Sequence, residues 1–122
     1  MNVTVTKRFN FEASHNLINY EGQCSNLHGH SYKLEITFAR VGSFIDTSGM
    51  VIDFNKVSAL VKPIVDRYDH SYLNDYFSQP TAENMAVSIF EEVNSKLQLK
   101  DVKVVEVRLW ETEKCFATVK EG

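Results

Sequence analysis

Alternating polarity at both ends of the chain, with two helical stripes between, constrains the fold most. Val3, Val5, Phe9, Phe11 and Ala13 share one parity and Thr4, Thr6, Arg8, Asn10 and Glu12 the other, with Lys7 the exception. A period of two marks a half-buried strand. His30, Tyr32, Leu34, Ile36 and Phe38 repeat the pattern against Ser31, Lys33, Glu35 and Thr37. In between, Asn16 to Gly29 has little periodicity and reads as a loop. Val41 to Gly49 is turn-rich and leads into a short apolar run, Met50 to Ile52.

The middle of the chain changes period. Asp53 is a good N-cap, and Phe54, Val57, Leu60, Val61, Ile64, Val65 and Tyr68 fall at helical spacing. Pro63 interrupts that pattern and predicts a kink or an unpaired carbonyl near Ala59. After a polar, aromatic-rich connection from Asp69 to Gln79, Thr81 caps a second helix with Glu83 in its first turn. Its stripe is Ala82, Met85, Ala86, Ile89, Phe90, Val93 and Leu97. Val102 to Trp110 reads as a third strand, with Val105, Val107 and Leu109 as its core row. A turn at Thr112 to Lys114 leads to a last strand, Cys115 to Val119, hairpin-paired with the third. The order β-β-α-α-β-β, without β-α alternation, predicts an α+β fold: an antiparallel four-stranded sheet with two helices on one face. Such a sheet has open edges, which a closed oligomer covers.

Length sets a single domain, 1–122, able to bury a core without disulfides; 43% of its residues are hydrophobic. The net charge of -3 and pI near 5.8 come with no basic patch and no long apolar run, so neither a nucleic acid nor a membrane is the expected partner. Two cysteines and an N-terminus without an apolar signal core predict a cytoplasmic protein with reduced thiols.

Chemistry concentrates in Cys24-Ser25-Asn26-Leu27-His28-Gly29-His30. His28 and His30 are two apart, so in extended backbone both face the core row of their strand. The odd parity of the first strand, extended two places, reaches His15. Three imidazoles with an open fourth position suit catalytic zinc; a structural site would want four ligands, usually with several cysteines. The alternative is three unrelated histidines. Cys24 reads two ways, as a small buried hydrophobe or as a thiolate favoured by nearby cations. Cys115, beside Phe116, reads as packing. Asp69-His70 is either helix C-terminal chemistry or an oriented general base, and the adjacent side chains are not expected to bond each other directly. Glu111 continues the parity of Leu109. It is either a turn residue or an inward carboxylate satisfied by a ligand with paired N–H donors.

These stretches together resemble the 6-pyruvoyl-tetrahydropterin synthase family, and within it the bacterial 6-carboxy-tetrahydropterin synthases of queuosine biosynthesis. The resemblance is carried by Phe9 to His15 (FNFEASH), Cys24 to His30 (CSNLHGH), Gly49 to Phe54 (GMVIDF), Asp69 to Asp75 (DHSYLND), Pro80 to Glu83 (PTAE) and Trp110 to Thr112 (WET), in the family's order. It implies a T-fold, trimeric barrels stacked as a homohexamer, and active sites between subunits. By resemblance His15, His28 and His30 would bind Zn2+. Cys24 would abstract protons, with Asp69 and His70 as its relay. Glu111, with Thr112 beside it, would hold the pterin. The implied substrate is 7,8-dihydroneopterin triphosphate, with Lys33 among several basic candidates for its phosphates.

Overall fold

The computed structural model describes residues Met1–Gly122. Five strands and two α-helices form it: β1 (Thr4–His15), β2 (His28–Arg40), α1 (Phe54–Tyr68), β3 (Ser71–Tyr72), α2 (Ala82–Lys96), β4 (Val102–Trp110) and β5 (Phe116–Lys120). The sheet order is β3-β1-β2-β4-β5. The expected four strands are therefore joined by a fifth, the two-residue β3, which pairs parallel to β1 at Ala13 and Ser14 and makes the sheet mixed. Such a short strand leaves no periodicity in the sequence. The α+β class and the two helices stand as expected. No helix is long and apolar enough to cross a membrane.

The odd row of β1 and the even row of β2 meet in one core with the helix stripes. Phe11, Tyr32, Leu34, Ile36 and Phe38 are buried from the sheet, Val57, Val61 and Ile64 from α1, and Met85, Ala86, Ile89 and Val93 from α2. Lys7 keeps its place in the odd row because its ammonium donates to the Ser58 hydroxyl and to the Phe54 carbonyl on α1. Phe54 itself is exposed, which removes it from the expected stripe. Asp53 caps α1 by accepting from the Asn55 N–H, and Thr81 caps α2 by accepting from the Asn84 N–H. Pro63 does not interrupt α1. Pro63 and Ala59 both lie on the exposed side, where water can satisfy the carbonyl that the missing N–H leaves free.

The core row of β4 departs from simple alternation. Thr37 pairs with Glu106 but Phe38 pairs with Val104, so Val105 is the extra residue of a bulge. Parity flips there: Val102 and Val104 are buried below the bulge, Val107 and Leu109 above it, and Val105 is only half-buried. Above the bulge the inward parity runs on to Glu111. Cys115 precedes β5 and is exposed, so it is not a packing residue. Val104→Ala is expected to destabilise by about 2 kcal/mol and Val105→Ala by less than about 1 kcal/mol in urea unfolding. Unbroken alternation would reverse that order.

Candidate active site

The β1–β2 ladder builds the centre of the site. His15 closes β1 and His28 opens β2, and the two are directly paired; His30 pairs with Ala13, two residues back. No bulge interrupts this ladder, so all three imidazoles project from one face. Their centroids form a near-equilateral triangle, with separations of 4.7 Å for His15–His28, 5.1 Å for His15–His30 and 4.9 Å for His28–His30. One nitrogen from each ring lies within 4.8 Å of the others. Gly29 lies inside β2, and a Cβ there would make only ordinary contact, at 3.5 Å from the Ala13 carbonyl oxygen. Flexibility at this glycine is therefore not what brings the histidines together.

The donor chemistry fits a metal ion. His28 Nδ1 donates to the Asn26 carbonyl at 2.6 Å, which leaves its Nε2 as a lone pair. That atom lies 3.1 Å from His15 Nε2. Nitrogens around a tetrahedral zinc at about 2.0–2.1 Å would stand roughly 3.3 Å apart. His30 Nε2 is buried with no hydrogen-bond partner. An orphaned buried nitrogen is costly unless something takes its lone pair or proton. A Glu111 carboxylate oxygen lies 3.6 Å from it.

Two of the three histidines resist protonation. Burial, then the neighbouring charges of His28 and His30, hold His15 down at about 4, against a small opposing pull from the Pro80 carbonyl. Burial also lowers His30, while Glu111 opposes and His28 adds to the effect. Neutral imidazole is the metal-binding form.

The remaining predicted residues form a rim. Glu111, half-buried, follows β4, and its N–H donates to the Cys115 carbonyl across the β4–β5 turn. It lines a pocket with Ala82 and Glu83 at the start of α2 and with Phe116 and Ala117 on β5. Thr112 lies exposed in the turn, where its hydroxyl accepts from the Lys114 N–H. Asp69 and His70 lie in close contact, His70 Nδ1 3.0 Å from Asp69 Oδ2, nearer than their adjacency led one to expect. The cause is backbone geometry: His70 takes a positive φ of 58°, which folds the ring back onto its neighbour. The Asp69 carboxylate is held low first by the Glu12 N–H it accepts from and then by His70. His70 shares an open groove with His30, Ser14 and Ser31.

Cys24 stands apart. It is half-buried in a single 3-10 turn, Gln23–Ser25, and no hydrogen bond joins its thiol to the histidine cluster or to Asp69-His70. Its carbonyl accepts from the Leu17 N–H. Flanking that residue, two side-chain amides act as substitute strand partners. Asn74 accepts from the Asn16 N–H and donates to its carbonyl, at 3.0 and 2.8 Å; Gln79 does the same for Ile18, at 2.7 and 3.0 Å. Neither amide is legible as functional from the sequence, because a lone Asn or Gln in a polar connection carries no periodic signal. Tyr32 was legible only as core, although its spacing from His30 places it on the same face.

The shifted His15 sets a pH dependence for the metal-free chain. The folded value is depressed from 6.5 to about 4, so the unfolded state binds the extra proton first. Stability is then full above about pH 6.5 and falls as pH drops from there towards 4, by up to about 3 kcal/mol. Urea unfolding in the presence of a chelator checks this, and His15→Gln should flatten that part of the profile.

The chain is similar to known proteins along nearly its whole length. The 6-pyruvoyl tetrahydropterin synthase family profile matches residues 4–122. A Rickettsia typhi protein described as 6-carboxy-5,6,7,8-tetrahydropterin synthase is 34% identical over 139 aligned positions, covering 96% of this chain and 99% of the relative. A Synechocystis protein of the same description is 39% identical over 94 positions, covering 73% of each chain. The structure of Caenorhabditis elegans 6-pyruvoyl tetrahydropterin synthase superposes with a TM-score of 0.84 at 26% identity, over 98% of this chain and 96% of that one. With the family profile spanning nearly its whole length and the three histidines gathered on one face, this chain belongs to the 6-pyruvoyl tetrahydropterin synthase family.

Proposed function

We propose that the chain is a cytoplasmic, zinc-dependent 6-carboxy-tetrahydropterin synthase. It would convert 7,8-dihydroneopterin triphosphate and water to 6-carboxy-5,6,7,8-tetrahydropterin, acetaldehyde and triphosphate in queuosine biosynthesis. The observation that carries this reading is the triangle of imidazoles with the Glu111 carboxylate 3.6 Å from His30, in a chain whose relatives bear that activity in their names.

His15, His28 and His30 would hold Zn2+. Bound there, zinc supplies Lewis-acid stabilisation for negative charge developing on a substrate oxygen. Glu111 accepts two N–H bonds from the amino-pyrimidine edge of the pterin, with Thr112 beside it, and this orients the substrate side chain towards the histidines. Ala82, Phe116 and Ala117 offer apolar walls next to that carboxylate. Cys24 takes a proton from a side-chain carbon. Asp69, whose Oδ2 lies 3.0 Å from His70 Nδ1, orients that ring for proton transfer.

Within one chain Cys24 and His70 are not bonded to each other, which supports a site completed by a neighbouring copy. The sheet ends in two open edges, β3 and β5, and strand edges of that kind favour closure by another subunit. A homohexamer built as two trimers is the assembly proposed.

Incubation of zinc-loaded protein with 7,8-dihydroneopterin triphosphate is expected to release one acetaldehyde per triphosphate. Triphosphate without acetaldehyde would assign the 6-pyruvoyl reaction instead, and tight pterin binding without turnover would contradict an enzyme. Cys24→Ala is expected to lower kcat by at least about 100-fold with zinc still bound. Turnover unchanged by that substitution would point to a hydrolase using metal-bound hydroxide.

A further inference from the structure

We propose that Tyr32 is a positioning residue for the metal centre: its hydroxyl holds the His15 ring so that Nε2, and not Nδ1, is offered to the ion. The inference rests on the metal-binding reading of the three histidines. Tyr32 follows His30 by two residues on β2, so both side chains point to the same face. Its ring is 1% exposed and stacks on Phe11, with centroids 4.9 Å apart and planes 12° from parallel. The oxygen is thereby fixed in place, 2.9 Å from His15 Nδ1.

The direction of each hydrogen bond follows from the neighbours. His28 spends its one proton on the Asn26 carbonyl, so its Nε2 can only accept. Two Nε2 atoms 3.1 Å apart then need a proton or a cation between them. With a proton, His15 carries it on Nε2 and accepts the Tyr32 O–H at Nδ1. With a metal ion, both Nε2 lone pairs bind the ion, the His15 proton sits on Nδ1, and the Tyr32 oxygen accepts. The ring stays neutral in both states; it loses the Nε2 proton to solvent and gains one at Nδ1.

A hydroxyl can donate in the first state and accept in the second. A carboxylate in that place could only accept. Tyr32 therefore satisfies His15 Nδ1 whether or not the ion is bound, which keeps the ring aimed at the cluster in advance. Outer-shell partners of this kind commonly change metal affinity by about 10- to 100-fold.

Tyr32→Phe removes the oxygen and keeps the stacked ring. Zinc affinity, measured by competition with a chromogenic chelator, is expected to weaken by about 10- to 100-fold. The visible spectrum of the cobalt-loaded variant is expected to shift, a change that lost core packing would not by itself produce. Affinity within twofold of the unaltered chain, with an unchanged cobalt spectrum, would overturn the proposal. Failure of the unaltered chain to bind zinc would instead overturn the metal reading beneath it. Should the variant not fold, ring 15N shifts of His15 in the unaltered zinc-loaded chain decide the matter. Metal on Nε2 with a proton on Nδ1 supports the proposal, and metal on Nδ1 contradicts it.

Discussion

The pairing of His15 with His28 across the β1–β2 ladder is the constraint on which the site depends. A strand repeats every two residues, so a slip of one place would turn His15 out of the core while leaving His28 and His30 where they are. The buried row of β1, Phe11 and Ala13, prevents that slip, because it would expose those side chains as well. The same burial that fixes the register holds His15 and His30 against protonation. Core packing and the gathering of the three histidines thus share one cause, the apolar face on which the histidines end.

Around this rigid centre the other groups are held by more local means. Glu111 inherits its inward direction from the part of β4 above the Val105 bulge. Without the extra residue, the row that buries Val102 and Val104 would continue onto the opposite parity and turn Glu111 away. The loop carrying Cys24 has no ladder of its own and is tied down through Asn16, Leu17 and Ile18, by the amides of Asn74 and Gln79 and by the Cys24 carbonyl. Asp69 and His70 hang on the edge of β1 through Glu12, whose N–H meets Asp69 and whose carbonyl meets the His70 N–H. The centre is built on sheet and the rim on side-chain contacts. The rim is accordingly the part that a neighbouring subunit or a substrate can complete.

What could be read from the sequence divides along the same line. Parity placed His15, His28 and His30 together because β1 runs unbroken through twelve residues and the ladder has no bulge at that end. Both helices and their caps were legible for the same reason, a long period with a clear start. Parity misplaced Val105, because nothing in a run of valines marks which one is the extra residue. It missed β3, which is too short to show a period, and the Asp69–His70 contact, which depends on a positive φ that no histidine advertises. Cys115 looked like the first inward residue of a strand and proved to be the last residue of a turn. The roles of Cys24 and Glu111 came from family resemblance; the residues alone left them open.

The central proposal is that three imidazoles on one sheet face hold a metal ion. Metal content per chain, measured by atomic emission on protein purified without chelator, tests it most directly. The account predicts close to one zinc per chain in the unaltered protein and near-complete loss in His28→Ala and in His30→Ala, with both variants still folded. Full occupancy in both variants, or no bound metal in the unaltered chain after exposure to zinc, would contradict it.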